Sequence, residues 1–326
     1  MPKCTIEIIT VDENGKPIRV QEPIVEEEIT WETVRKGEPG KLTFTVKKDE
    51  TLSFPEGAHV RFMYGDTKVF YGFVFTKQRD KEQFITVTAY DQLRYLKNKT
   101  SYIFTGIRAD QVLTRIADDF LLKVGAVENT GYVIPKFNKD NMTLFDIILD
   151  AIDDTVMATG NLYFIYDDFG KIMLKNIKDT KLGLLIDNTT AENFDYSSSI
   201  DNNTYNRIVL TDSEDKSERN VVKVQDAGNI QRWGVLQYFE AMSNGGNTKV
   251  NADALLKLYN KVHRSLTIQG QKGDIRCRAG FGVYLDLYLG DLPGKQHMLV
   301  EKAVHTFKHD EHTMDLTLIG AEEFYE

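Results

Sequence analysis

From Met1 to about Lys97, apolar and polar residues alternate in short runs: Lys41-Leu-Thr-Phe-Thr-Val46, Val60-Arg-Phe-Met-Tyr64 and Phe84-Ile-Thr-Val-Thr-Ala-Tyr90, with Gly or Pro between them. A period of two puts every second side chain on one face, so each run predicts a half-buried strand and the series predicts a small β-barrel. The period then changes. Val112, Ile116 and Phe120 recur at i, i+4, i+8, which predicts a helix over Arg108–Leu122 with Gly125 as its terminator. A second helix is expected from Thr143, which can cap it with Asp146 three residues on, through Leu144, Ile148, Ala151, Ile152 and Thr155 to Gly160. Strands resume at Tyr205–Leu210, Asn220–Val224 and Trp233–Phe239, separated by polar loops at 213–219 and 243–247. A last helix is capped by Asn251 and buries Leu255, Leu258, Tyr259 and Val262.

The fold class this predicts is mixed β with α+β, two similar β-barrel domains flanking a small α/β domain. The barrels take residues 1–97 and 184–326, the second with an inserted helix at about 251–263, and the α/β domain takes 98–183 with two helices and a hairpin. Within that hairpin lies Asp168-Phe169-Gly170, a triplet that in protein kinases holds magnesium. Leu162, Phe164 and Tyr166 alternate before it and Ile172 and Leu174 after it, so 167–170 reads as a four-residue hairpin loop with Gly170 at positive φ. A kinase also needs a glycine-rich phosphate loop, a strand lysine paired to a helix glutamate, and a His-Arg-Asp loop with Asn, none of which is found in the sequence.

Composition agrees with a β-rich globular chain: of 326 residues, 41% are apolar, and 18 Phe and 15 Tyr favour strands. The formal net charge of -9 argues against tight nucleic-acid binding or docking on an anionic membrane. Two cysteines, Cys4 and Cys277, give neither a disulfide framework nor a zinc spacing, which points to a reducing cytoplasm during synthesis. No apolar run reaches the roughly 18 residues of a membrane span, and the first ten residues alternate like a strand, so neither membrane insertion nor a signal peptide is expected.

The two β regions carry a repeat. Glycine, then Val60-x-Phe62-x-Tyr64, then Gly-Asp is matched by glycine, Val283-x-Leu285-x-Leu287 and Gly-Asp. Phe73-Val-Phe-Thr76 pairs with Ala303-Val-His-Thr306, and Ile85–Asp91 with Leu316–Glu322. Three pairs in one order imply that the first and last domains share a fold. A chain with two such domains presents two equivalent surfaces, and a trimer would present six.

Candidate chemistry is sparse. His305, His309 and His312 flank a hairpin tip at 308–311, with Thr306 opposite Thr313, which makes His305 and His312 diagonal neighbours able to share a metal. They read first as surface histidines beside a charged turn, so no metal and no cofactor is assigned. The carboxylate pairs Asp118-Asp119, Asp153-Asp154, Asp167-Asp168 and Glu26-Glu27-Glu28 are adjacent in sequence. A glycoside hydrolase needs two carboxylates facing each other across a cleft, so the helical pairs read as solvated faces and no catalytic residue is assigned. Trp31 and Trp233 each sit in a polar-flanked strand, as core residues or interface anchors.

Several stretches together resemble a known family: Lys97-Asn-Lys-Thr-Ser-Tyr-Ile-Phe104, Val127–Pro135, Ala151-Ile-Asp-Asp-Thr155, Thr159-Gly160-x-x-Tyr163, Asp168-Phe-Gly170, Tyr205-Asn-Arg-Ile208, Gly273-Asp-Ile-Arg-Cys-Arg-Ala-Gly280 and His312-Thr-Met-Asp-Leu316. Over nearly its whole length the chain is similar to the XkdQ/YqbQ-like baseplate hub proteins of contractile phage tails and phage-tail-like particles, related to late control protein D. The resemblance implies a non-enzymatic homotrimer, a pseudo-sixfold ring joining the tail tube to the central spike. Its implied partners are the tube, spike, baseplate wedge and tape-measure proteins. The ring would assemble in the bacterial host cytoplasm and end in the baseplate. The alternatives are a tail-associated peptidoglycan hydrolase and a carbohydrate-binding β module.

Overall fold

A computed structural model describes residues 2–187, 193–201, 203–211, 220–241, 248–287, 295–309 and 311–320. The loops expected at 213–219 and 243–247, and the Gly290-Asp291 and 321–322 ends of the repeat, lie outside them. The first β region contains β1 (Cys4–Val11), β2 (Pro17–Gln21), β3 (Val25–Val34), β4 (Lys41–Lys47), β5 (His59–Tyr64), β6 (Thr67–Arg79) and β7 (Phe84–Tyr90). The middle holds β8 (Lys99–Ile107), α1 (Ala109–Asp119), β9 (Val124–Val127), β10 (Ile134–Thr143), α2 (Leu144–Thr159), β11 (Tyr163–Asp167) and β12 (Ile172–Asn176). The last part holds β13 (Lys181–Asp187), β14 (Asn193–Ser199), β15 (Arg207–Thr211), β16 (Val221–Gln225), α3 (Ala227–Trp233), β17 (Gln237–Ala241), α4 (Thr248–Tyr259), β18 (His263–Lys272), β19 (Gly282–Asp286), β20 (Gln296–Lys308) and β21 (Glu311–Gly320).

The protein is mostly β, but its two outer β regions are not separate bodies. They form one thirteen-stranded sheet with the path β14-β18-β21-β20-β3-β4-β7-β6-β5-β1-β2 and with β13 and β19 attached beside β20. The join is β3 against β20, antiparallel from Lys302 opposite Val34 to Lys308 opposite Glu28. No closed barrel is found among the described residues, so the expected mostly β character is borne out and the two-barrel arrangement is not. Each half nevertheless keeps its own core, one around Phe44, Phe62 and Val87, the other around Ile268, Leu285 and Leu316.

The repeat is a five-strand unit. The order β3-β4-β7-β6-β5 recurs as β14-β18-β21-β20-β19, with every neighbouring pair antiparallel. Gly57 donates to the Val74 carbonyl while the Val74 amide donates to Ala58, and Gly280, Val300 and Phe281 repeat both bonds. Both glycines have positive φ, +80° and +89°. One residue after each valine the strand carries a one-residue bulge, at Phe75 and at Glu301. This equivalence fixes the register: Val60 matches Val283 as expected from sequence, but Thr76 matches Lys302 rather than Thr306, and Ile85 matches Met314 rather than Leu316. The slips are of four and two residues. An even slip leaves the inward face unchanged, so alternation alone could not expose it.

The α2 helix forms where Thr143 accepts a bond from the Asp146 amide at 3.0 Å, and it ends at Gly160 (φ 73°), whose amide returns to Val156. The α1 helix differs from expectation. It stops at Asp119, Leu121 takes the left-handed conformation (φ 55°), and Gly125 lies in β9, where a Cβ would stand 2.3 Å from the Met173 sulfur. Both helices, β11 and β12 share one core around Leu113, Ile148 and Phe164. Residues 207–259 hold strands and a helix as expected, but they stand apart from the main sheet. There β16-β15-β17 make a separate three-stranded sheet packed on α4, with a core at Ile208, Leu210, Ala252 and Leu255. Helix α4 begins at Thr248, so Asn251 lies inside it, and Trp233 ends the short helix α3 instead of opening a strand.

The Asp168-Phe169-Gly170 stretch is a turn, tighter than expected. Asp168 and Lys171 exchange both main-chain bonds (2.8 and 3.2 Å), leaving a two-residue loop with φ 48° at Phe169 and 85° at Gly170, a pattern suited to the twist of a hairpin. The loop docks on β6: the Phe169 ring lies 5.7 Å from Tyr71, and a Cβ on Gly170 would stand 2.6 Å from the Tyr71 ring. Gly170→Val therefore meets the left-handed penalty, about 1–2 kcal/mol, and an overpacking cost of about 1–3 kcal/mol. Chemical denaturation is expected to show a loss of at least the smaller figure; an unchanged midpoint would remove the turn assignment.

Candidate functional site

The three parts of the chain meet at residues 273–280, a loop between β18 and β19 that holds each of them by a different bond. The loop is shaped by its own turn, in which the Cys277 amide donates to the Asp274 carbonyl at 2.9 Å. The Asp274 carboxylate takes the Arg276 amide and guanidinium and keeps Arg276 outside. Toward the first β region, the Ala279 amide donates to Thr33 Oγ1 at 3.0 Å. Toward the middle, Gly280 lies so close to Phe164 that a Cβ would stand 2.0 Å from the ring. Toward its own half, the Cys277 carbonyl accepts from His305 Nε2 at 2.7 Å.

Arg278 is the centre of this junction. Its guanidinium lies 4.5 Å from the Tyr166 ring and 5.6 Å from Trp31, and Nη2 donates to the main-chain carbonyl of Asp167 at 2.6 Å. Its Nε is sealed from water without a hydrogen-bond partner. Two buried carboxylates face this cation. Asp167 accepts from the Gly170 amide (2.7 Å) and Gln92 Nε2 (2.9 Å); Asp91 accepts from the Gly40 and Leu93 amides (2.9 and 3.0 Å). Burial pushes the Asp167 carboxyl up to about 6, against its hydrogen bonds and Arg278, and burial together with Asp167 pushes Asp91 upward as well. The Cys277 thiol is driven to about 12 by burial, which keeps it in the un-nucleophilic thiol form. The site thus ties segments together by desolvated charge and hydrogen bonds.

The histidines lie on the other side of the same loop. Thr306 pairs with Thr313 as expected, but His305 and His312 are closer than diagonal neighbours that await a metal: His305 Nδ1 and His312 Nε2 are 2.9 Å apart. Since His305 Nε2–H donates to the Cys277 carbonyl, its Nδ1 is the acceptor, and both ring nitrogens are engaged. His305 is fully buried, stacked 4.9 Å from Trp31, which corrects the reading of a surface histidine. His312 packs 4.3 Å from Phe307 and over Gly273, where a Cβ would stand 2.3 Å from its ring. His309 occupies the hairpin tip at φ 51°. Among the described residues no three His, Cys, Asp or Glu side chains are placed to hold a metal. Burial is the main reason both dyad members stay neutral: His305 is lowered to about 3 and His312 to about 4.

The carboxylate pairs divide. Asp119 is exposed and holds Arg115 and the Tyr102 hydroxyl, as a solvated face does. Asp153 and Asp154 do not fit that expectation. They line a cleft of about 610 Å³ between α2, α4, β17 and the main sheet, with Arg35, Lys36, Lys139 and Glu240. Asp154 Oδ2 is buried without a partner, and desolvation pushes the carboxyl up to about 6. Adjacency in sequence gave no hint of this, because the walls also draw on residues as distant as Arg35 and Glu240. Trp31 is a core residue, 3% exposed. Arg278, Asp91 and Gln92 were not singled out in the sequence as site residues; the one signal was the glycine-bounded motif 273–280, too irregular for a strand.

This fold, with a doubled five-strand unit clasped around an α/β middle, is that of phage tail proteins. The crystallised 43 kDa tail protein of prophage MuSo2 from Shewanella oneidensis superposes with a TM-score of 0.71 over 99% of this chain and 100% of its own, at 10% identity. The E. coli c3393 protein, described as a component of the type VI secretion system with structural similarity to T4 tail proteins gp27 and gp5, gives 0.58 over 98% and 78%, at 8% identity. The YQBQ-like family model matches residues 29–319, and the phage-like element PBSX protein XkdQ of Bacillus subtilis (strain 168) is 31% identical over 306 residues, 91% of this chain and 93% of the relative. The chain belongs to the YQBQ-like family, and its fold is one it shares with phage tail proteins. Among the described residues no helix is long and apolar enough to cross a membrane.

Proposed function

We propose that this chain is the baseplate hub of a contractile phage tail or phage-tail-like particle, a homotrimer whose six five-strand units form a pseudo-sixfold ring between tail tube and central spike. The domains are 1–97, 98–183 and 184–326, with 207–259 as an α/β insertion in the last. One observation carries the reading: two units with the same strand order, the same bulge and the same glycine-anchored bond pair, already joined edge to edge within one chain. Such a chain presents a sixfold tube with a threefold object. Its partners are the tube, spike, wedge and tape-measure proteins, and it carries out no chemistry; the buried Arg278 site serves to hold the two units at one fixed angle. Assembly takes place in the host cytoplasm.

The alternative, a peptidoglycan hydrolase, has one observation in its favour, the Asp154 carboxyl raised into the range of a general acid in an open cleft. Native mass of the intact chain over a range of concentrations separates the readings when paired with an assay on purified peptidoglycan. The hub reading expects three times 37.3 kDa and no release of wall fragments. A monomer that solubilises wall, with the activity lost in Asp154→Asn, would overturn it.

A further inference from the structure

The join between the two halves of the chain uses only part of what the repeat offers. Strand β3, the outer strand of the first unit, pairs with the far half of β20, beyond the segment that holds β19. By the equivalence above, β14 is the outer strand of the second unit, and Thr76–Arg79 is the corresponding far half of β6. Among the described residues neither edge is paired. Beyond β18, β14 has no neighbour in the sheet, and on the β5 side the pairing of β6 ends at Phe73. Both are largely exposed; β14 carries Ser197, Ser198 and Ser199 with no lysine or proline, and on β6 Lys77 is drawn aside to Glu56 and the Phe54 carbonyl, with Arg79 at the strand's end. At the opposite end of the sheet β2 opens on Pro17, which has no amide to donate to a further strand.

Side chains at the two kinds of edge are complementary in the same places by different chemistry. At the internal join the bulge residue Glu301 holds Arg35 by an ion pair of 2.6 Å, and the Arg35 amide donates to the Glu301 carbonyl. The equivalent positions are Phe75 and Ile200, both apolar where the internal join has charges. Thr33 accepts the Ala279 amide at the internal join, and its equivalent Ser198 keeps the hydroxyl.

We propose that β14 of one copy of this chain adds antiparallel to Thr76–Arg79 of β6 in the next copy, with Thr76 opposite Ser199, Gln78 opposite Ser197 and Ile200 over Phe75. The contact is head-to-tail: each copy offers two different edges, so repetition closes a ring or continues as a helix. The inference rests on the hub reading for ring closure at three copies, but the register comes from the internal join alone.

Directly opposed residues of antiparallel strands have Cα atoms about 4.5–5.5 Å apart, within the range of a disulfide. In the full chain carrying Cys4→Ser, the pair Gln78→Cys and Ser197→Cys is expected to give covalent multimers on mild oxidation, running as dimer and trimer on a non-reducing gel. The pair Gln78→Cys and Arg19→Cys, which places the second thiol on the protected β2 edge, is expected to give none. A chain whose native mass is multimeric but whose Gln78→Cys, Ser197→Cys pair stays uncrosslinked would overturn this register and leave the hub reading standing. Crosslinking through Arg19→Cys instead would name β2 as the edge and also overturn it. A chain that is monomeric at every concentration and yields no crosslink would remove both.

Discussion

Arg278→Ala is expected to destabilise the fold by about 3–5 kcal/mol at pH 8, the range found when one member of a buried ionic cluster is removed. The loss has two parts. The guanidinium no longer fills the space between Tyr166 and Trp31 or caps the Asp167 carbonyl, and two buried carboxylates lose the cation that faces both of them. The second part depends on pH. The Asp167 carboxyl is raised to about 6 in the folded state from an ordinary 3.8, so the stability of its neutral form is fully present below 3.8 and is lost as pH rises through 6. Without Arg278 the folded-state value moves higher still. Urea denaturation of variant and parent at pH 8 and pH 5 is expected to show a gap smaller by about 1–2 kcal/mol at the lower pH, since one pKa unit is worth about 1.4 kcal/mol. Arg278→Met keeps the stem's packing and should recover part of the pH-independent loss. A gap below about 1 kcal/mol, or one that is flat with pH, would mean that the junction is held by packing alone.

Some of this architecture was readable because the relevant physics is local. Alternation in Lys41–Val46 and Phe84–Tyr90 marks strands whose inward side chains are buried, and Thr143 with Gly160 marks both ends of α2. The repeat was readable where glycine geometry pins it, at Gly57 and Gly280, and slipped wherever only alternation was available. What the sequence hides is sequence-distant. The pairing of β3 with β20 joins residues some 270 positions apart, and nothing in either strand names its partner. Arg278 likewise draws its neighbours from Trp31, Asp91 and Tyr166, each unremarkable in its own segment. Leu121 and Gly125 show a local failure: a glycine near a helix end suggests a stop, but the helix stopped on leucine because Gly125 was needed where β9 passes Met173.

The histidine dyad should make the protein acid-labile in a way that can be separated from its carboxylates. A buried His held neutral has a folded-state pKa below its unfolded value, so it has no effect above 6.5; below that the unfolded chain binds the proton and the folded chain refuses it. His305, fully buried and lowered to about 3, is expected to cost about 3 kcal/mol between pH 6.5 and 4.5, at about 1.4 kcal/mol per unit. His312, partly open to solvent, adds a smaller share in the same direction. The raised carboxyls of Asp167 and Asp154 act oppositely over the same window, gaining stability as pH falls, so the parent's profile alone is ambiguous. A comparison removes them. His305→Gln keeps one donor and one acceptor beside Cys277 and His312 but cannot titrate. It is expected to be less stable than the parent at pH 7.5, and the difference should shrink by about 3 kcal/mol by pH 4.5. Parallel profiles for the two proteins would show that protonation of His305 is not opposed by the fold, and the dyad would then be an ordinary hydrogen bond rather than a buried neutral pair.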